Sequence, residues 1–159
     1  MSSRRQLLKG VIVAPLAFLV EASVLRATDY ASSAEALDAV DRLEADVAAR
    51  LRVLSRGEPG AVPFAESVLA DHSRHRARRS WVRRRLKLPP SAPSVEILSP
   101  DAGLDALRTA QQELVYAHAE GLPTLNDAQS VDVMARNMVD LSRHLTVIDL
   151  WMEAANTHD

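Results

Sequence analysis

The chain has no cysteine in its 159 residues, and aromatic residues make up only 4 % of it. Without cysteine there are no disulfide bonds, thiolate metal sites, iron–sulfur clusters or covalently attached haem groups. Any metal site would therefore depend on His, Asp or Glu, and alanine, leucine and valine would have to fill the core. The formal net charge is only −2, which gives no reason to expect a nucleic-acid partner.

The chain also lacks an apolar run long enough to span a membrane. The run at 10–20 has 11 residues and contains Pro15, whereas a spanning helix needs about 20 apolar residues. It follows Arg4 and Arg5, which are themselves followed, after one glutamine, by two leucines and a lysine. This order resembles a twin-arginine export signal, whose machinery moves folded proteins across the bacterial inner membrane.

The resemblance divides the chain into a signal segment at 1–27 and one domain at 28–159. It implies that the twin-arginine translocation machinery is a partner and that the domain is exported to a periplasmic or other extracytoplasmic location. The residues at 20–27 do not follow the usual small-x-small cleavage pattern. Two outcomes therefore stay open: a cleaved signal, and an uncleaved segment that anchors the domain to the membrane.

Four helices are predicted in the domain, and no segment alternates apolar and polar residues as a half-buried strand does. A capping box at Ser32 and Glu35 marks the first start, and prolines and glycines separate the helices. The helices span about 32–56, 63–88, 99–121 and 124–155.

The connections between these helices are short, long and short. The middle one, 89–99, is rich in proline and long enough to cross the length of a helical bundle. This order is typical of the ferritin-like fold, in which one crossover joins two helical hairpins. We therefore predict an all-α, ferritin-like four-helix bundle, with a plain up-down-up-down bundle as the alternative.

Ionisable side chains fall on or beside the predicted apolar stripe of every helix. Burying such groups unpaired costs several kcal/mol or removes their charge, so they should pair with each other or bind a cation. One solution is a metal site such as ferritin-like di-iron proteins build, with iron or manganese as the ion. The candidate ligands are Glu44, His72, His75, Glu113, Asp140 and His144.

The other solution is a buried polar network that needs no metal. In it Glu44 pairs with Arg79, and His75 and the other histidines hydrogen-bond to the remaining acids. Arg79 favours this solution, because a permanent cation one turn from His75 would repel a divalent ion. In a third interpretation these side chains are solvated.

Helix two carries the run HRARR at 75–79, and helix three carries ELVYA at 113–117. Both runs resemble a bacterial ferritin-like domain family of unknown function, and the resemblance extends over about 34–154. It implies a ferritin-like bundle and no known reaction. Di-iron proteins of the wider superfamily carry Glu-x-x-His on helices two and four. This chain has His-x-x-His at 72–75 and Asp-x-x-x-His at 140–144, which argues against a ferroxidase or di-iron oxygenase.

Eight basic residues and no acidic ones lie between Arg74 and Lys87, with Trp81 among them. Their charge suits an anionic membrane surface or an acidic protein partner, or else forms a solvated face. The expected basic surface consists of Arg76, Arg83, Arg84, Arg85 and Lys87.

No nucleophile–base arrangement, phosphate loop or zincin motif is present. The sequence therefore predicts an exported bundle that acts as a non-catalytic binding or accessory protein. The alternative is a metal-binding bundle of the di-iron or manganese type with oxidoreductase or metal-handling activity. A homo-oligomer is left open.

Overall fold

The computed structural model describes residues 30–91 and 103–156, and in that part of the chain all regular structure is helical. Single 3₁₀ turns stand within the two short connections. The four long helices are α1 (Ser33–Gly57), α2 (Val62–Arg85), α3 (Leu104–Gly121) and α4 (Ala128–Asn156). The prediction of an all-α four-helix bundle is thereby confirmed. The predicted signal with Arg4 and Arg5 lies outside the described residues.

Helix α1 begins at the capping box that the sequence predicts. The Ser32 hydroxyl accepts a hydrogen bond from the backbone N–H of Glu35 (3.2 Å), and the Glu35 carboxylate accepts one from the N–H of Ala31 (3.0 Å). These bonds satisfy donors that the first turn of a helix leaves free. The hydroxyl of Ser33 donates to the carbonyl of Thr124 (2.6 Å) and so fastens the start of α1 to the end of the α3–α4 connection.

Helix α2 ends three residues earlier than predicted, before the proline pair is reached. The N–H of Leu88 bonds to the carbonyl of Arg83 (2.8 Å) and the N–H of Lys87 to that of Arg84 (3.2 Å). Together these bonds form a Schellman motif. Lys87 has the left-handed conformation, φ 56°, that glycine usually takes in this motif. Backbone hydrogen bonds therefore cap the helix, and the proline pair comes after the cap rather than ending the helix.

The helices form a ring in which α1 and α4 each pack against both α2 and α3. Helix α2 ends at Arg85, which pairs with Asp127 beside the start of α4. Helix α3 begins at the other end, where Leu104 and Gly57 of α1 line one cavity. Members of each hairpin are antiparallel, and α2 and α3 are diagonal and parallel. The connection from α2 to α3 thus joins opposite ends of the bundle.

The core of the bundle is aliphatic, as the scarcity of aromatic residues predicts. Its most deeply buried members include Leu37, Val40, Val47, Leu51, Val68, Val82, Leu107, Leu114, Leu141 and Ile148. Polar side chains interrupt this core on both sides of α2, and the fully buried residue of largest volume is Arg79. No helix among the described residues is both long and apolar enough to cross a membrane.

Candidate functional site

A carboxylate–guanidinium pair stands at the centre of the contact between α1 and α2. Arg79 donates from Nη1 to Oε1 of Glu44 (3.1 Å) and from Nη2 to Oε2 of the same carboxylate. Its Nε donates to Oδ1 of Asp41 (2.7 Å). Arg79 and Glu44 are each 1 % exposed. Bidentate pairing of this kind is the strongest arrangement that a guanidinium and a carboxylate can form.

Arg83 continues this pattern one turn further along α2. Its Nη2 donates to Oδ1 of Asp38 (2.6 Å) and Oδ2 of Asp41 (3.0 Å), and its Nη1 to the carbonyl of Pro89 (3.3 Å). Arg83 is only 3 % exposed. The prediction that it belongs to a basic surface is therefore wrong, because two carboxylates of α1 draw its guanidinium into the bundle. We refer to the α1–α2 ion-pair network as Asp38, Asp41, Glu44, Arg79 and Arg83.

The buried pair of Glu44 and Arg79 is ionised at neutral pH. Burial raises the pKa of Glu44, but His75 and Arg79 outweigh this effect and bring the pKa to about 2. Burial lowers the pKa of Arg79, yet Glu44 and Asp41 raise it above its ordinary value. Removing one partner would leave a buried charge uncompensated, which is costly in a protein interior.

A second polar group lies between α2 and α4. The ring Nε2 of His75 is 3.3 Å from Oδ2 of Asp140, and the ring Nε2 of His144 is 2.9 Å from Oδ2 of Asp71. An ionised carboxylate only accepts hydrogen bonds, so both histidines carry a proton on Nε2. The helices are antiparallel at this contact, which brings these two pairs one above the other.

His72 lies between these two histidines and is 5 % exposed. Its ring centroid is 6.0 Å from that of His75 and 6.1 Å from that of His144. Neither ring nitrogen of His72 has a hydrogen-bond partner within the described ranges, and the same holds for Nδ1 of His75 and of His144. An unpaired buried polar atom costs about 1–3 kcal/mol, so such atoms are rare. We call His72, His75 and His144 the histidine cluster.

Burial keeps three histidines of the core neutral. It lowers the pKa of His72 and of His144 to about 4 each. It lowers the pKa of His118, which is 0 % exposed on α3, to about 3. Nδ1 of His118 donates to the carbonyl of Leu114 (2.9 Å), and its Nε2 has no partner among the residues that the structure describes.

The six predicted metal ligands do not all converge. Glu113 is half-buried on α3, which is diagonal to α2, and Asp140 is half-buried beside His75. Within residues 30–91 and 103–156 no group of three or more His, Asp or Glu side chains could hold a metal ion. Both oxygens of Glu44 accept hydrogen bonds from Arg79. These carboxylates therefore do not fit a di-iron centre.

The basic stretch of α2 is mostly neutralised. Arg74 pairs with Asp71, Arg78 bonds to Asn137 and Asp140, and Arg79 and Arg83 belong to the α1–α2 ion-pair network. Arg85 bonds to Asp127 through two contacts of 2.6 and 2.8 Å and lies 5.5 Å from the ring centroid of Trp81. Of the basic residues from Arg74 to Lys87, the exposed ones without an ion-pair partner in the described part of the chain are Arg76, Arg84 and Lys87.

The sequence interpretation missed several residues of these two groups. Asp38, Asp41 and Glu44 recur every three residues, which places all three along one side of α1. This spacing, together with the two arginines four residues apart on α2, could have predicted the network. Asp71 and His118 gave weaker signals, because each is a single polar residue beside an apolar stripe.

No protein-family model, no curated protein and no solved structure matches this chain significantly.

Proposed function

We propose that the chain is an exported, ferritin-like four-helix bundle that acts as a non-catalytic binding or accessory protein. The direction of the helices supports the ferritin-like assignment, because two antiparallel hairpins are linked between opposite ends of the bundle. The runs at 75–79 and 113–117 support the same assignment by resemblance. Export rests on the twin-arginine motif at Arg4 and Arg5.

The buried pair of Glu44 and Arg79 is the observation that carries the non-catalytic part of the proposal. Arg79 is a permanent cation bonded to both oxygens of Glu44, so it repels a metal ion at this carboxylate and disfavours its protonation. A fully engaged pair of this kind fixes the register of two helices. The centre of the bundle therefore serves the fold, and we expect the binding function on the outside.

The outer face of α2 is the surface that we propose for binding. Arg76 and Arg84 lie eight residues apart with Ser80 between them, so both are on one side of the helix, and Lys87 follows just beyond its end. Each basic residue near an anionic lipid surface contributes about 1 kcal/mol of attraction. We propose anionic lipid headgroups as the target, because an exported domain with a retained signal stays beside the membrane.

Co-sedimentation of the full chain with vesicles tests this face. We expect binding to phosphatidylglycerol vesicles at low salt and none to phosphatidylcholine vesicles. The triple variant R76E/R84E/K87E should weaken binding by about 100-fold, the effect of three lost contacts. The matched control is R42E/R52E/R56E, which makes the same change in net charge on exposed positions of α1. Equal weakening by both variants, or no pelleting by the wild type, would remove the membrane proposal.

A further inference from the structure

A cavity lies at the end of the bundle opposite to Arg85 and Asp127. Its volume is about 660 Å³, and small-molecule sites in proteins typically enclose about 300–1,000 Å³. The lining comes from the last turn of α1, the α1–α2 connection, the start of α3 and Trp151 near the end of α4. Four separate parts of the chain therefore form one concave surface.

The lining of this cavity is mostly apolar. Val53, Leu54 and Leu104 supply aliphatic side chains, and Trp151 supplies an indole ring. Trp151 is half-buried, and the ring of Phe64 packs against it with centroids 4.7 Å apart and an angle of 64° between the planes. This edge-to-face contact is a favourable arrangement of two aromatic rings. The cavity therefore has one aromatic wall whose position is fixed by packing.

Two glycines leave room in the wall that the α1–α2 connection forms. An added Cβ on Gly57 or Gly60 would meet no heavy atom within 4 Å, and neither residue has a positive φ. The backbone conformation therefore does not require glycine at either position. A larger side chain at Gly60 would take up space in the cavity without straining the backbone.

The charge at the cavity is negative. Glu58 is the one ionisable side chain among the described residues of the lining, and it is exposed. It follows the carbonyl end of α1, which carries a partial negative charge. Arg56 is exposed in the last turn of α1 but does not line the cavity. The start of α3 brings a partial positive charge, which Asp105 in its first turn offsets.

We propose that this cavity binds a small organic cation, in which an ammonium group is attached to an apolar, aromatic body. The aromatic body would pack against Trp151 and the leucines, and the ammonium group would meet Glu58. The indole of tryptophan is the aromatic ring that attracts cations best, and a carboxylate attracts them by its charge. The cavity lies apart from the outer face of α2, so failure of the vesicle experiment leaves this proposal intact.

Fluorine NMR of the full chain labelled with fluorotryptophan tests the site. The chain has two tryptophans, and Trp81 beside Arg85 lies toward the other end of the bundle, so it is an internal control. Naphthylmethylamine, a cation at neutral pH, should shift the Trp151 resonance saturably and leave that of Trp81 unchanged. Naphthylacetate, an anion of similar shape, should bind at least about 5-fold more weakly, the upper range for one exposed ion pair.

Substitutions at two positions of the lining separate the cavity from the rest of the surface. Gly60→Leu should weaken naphthylmethylamine binding by about 10-fold or more, the scale of overpacking by a few methylene groups. Gly60→Ala is the matched control and should keep the wild-type affinity. Glu58→Gln should weaken binding by about 2- to 5-fold, whereas Glu66→Gln, at an exposed position outside the lining, should not.

Four results would each overturn the proposal. The Trp151 resonance might not shift at all, or the two tryptophan resonances might move together. Naphthylacetate might bind as tightly as naphthylmethylamine, which would remove the assigned preference for a cation. Finally, Gly60→Leu might bind as tightly as the wild type, which would place the ligand outside the cavity.

Discussion

Ionisable side chains on the two sides of α2 differ in how fully they are paired. Toward α1, Arg79 and Arg83 each reach two carboxylates of the α1–α2 ion-pair network within hydrogen-bond distance. Toward α4, the histidine cluster keeps four ring nitrogens without a partner in the ranges that the structure describes. A buried charge requires an immediate partner, whereas a neutral imidazole can be buried unpaired for about 1–3 kcal/mol. Only the second arrangement includes a buried ionisable side chain, His72, that has no hydrogen-bond partner at all among the described residues.

The largest expected effect comes from breaking the network on one side only. Glu44→Ala should destabilise the protein by about 3–5 kcal/mol, because Arg79 keeps a buried charge with half of its partners gone. Replacing both residues, as E44L/R79M, should restore stability to within about 1–2 kcal/mol of the wild type. Urea unfolding followed by circular dichroism measures both. If the double variant were as unstable as the single one, the network would contribute stability beyond the compensation of buried charge.

As the pH falls, buried histidines should become protonated before Glu44 of the α1–α2 ion-pair network does. The pKa of His118 is lowered from 6.5 in the unfolded chain to about 3 in the fold. The unfolded state therefore binds more protons below pH 6.5, and stability falls as the pH decreases through this range. Between pH 6.5 and 4 this single group should remove roughly 3 kcal/mol. His72 and His144, with pKa values of about 4, act in the same direction.

The free energy of unfolding, measured from pH 4 to 7, checks this prediction. In His118→Leu the free energy of unfolding should depend less steeply on pH, because one titrating histidine has been removed. Glu44 stays ionised over this range, because its pKa is about 2. An equally steep dependence in His118→Leu would show that His118 is not the group that titrates.

At neutral pH, His72→Leu should stabilise the protein. The substitution removes two buried nitrogens that have no partner among the described residues and adds apolar volume to the core. The gain should be about 1 kcal/mol, the scale of one unpaired buried polar group. Thermal unfolding measures it, and His144→Leu is the comparison, since that variant loses a hydrogen bond to Asp71. A loss of stability in His72→Leu would mean that the ring packs better than leucine does.

The fold was predictable where local signals decide it. The capping box at Ser32 set the start of α1, and apolar spacing placed Glu44 and Arg79 in the interior. The end of α2 was not predictable from its sequence, because the Schellman motif is made by backbone bonds and has Lys87 in place of the usual glycine. Arg83 was placed on the surface because its carboxylate partners lie on another helix. Pairing of that kind depends on register, which one helix does not reveal.

The smallest effect concerns this helix end. Lys87→Gly should stabilise the protein by about 1 kcal/mol, because glycine takes the left-handed conformation without the cost that a side chain brings. Lys87→Val should destabilise it, since β-branched residues tolerate this conformation poorly. Thermal unfolding of the two variants against the wild type provides the measurement. Equal stability of both variants would contradict the strain assigned to φ 56°.

The free energy of unfolding at pH 7 tests the difference between the two sides of α2 most directly. It should be measured for the wild type, Glu44→Ala, E44L/R79M and His72→Leu under one set of conditions. The account predicts a loss of about 3–5 kcal/mol in Glu44→Ala, a loss of no more than about 1–2 kcal/mol in E44L/R79M, and no loss in His72→Leu. An equal loss in E44L/R79M and Glu44→Ala, or a loss of several kcal/mol in His72→Leu, would contradict it.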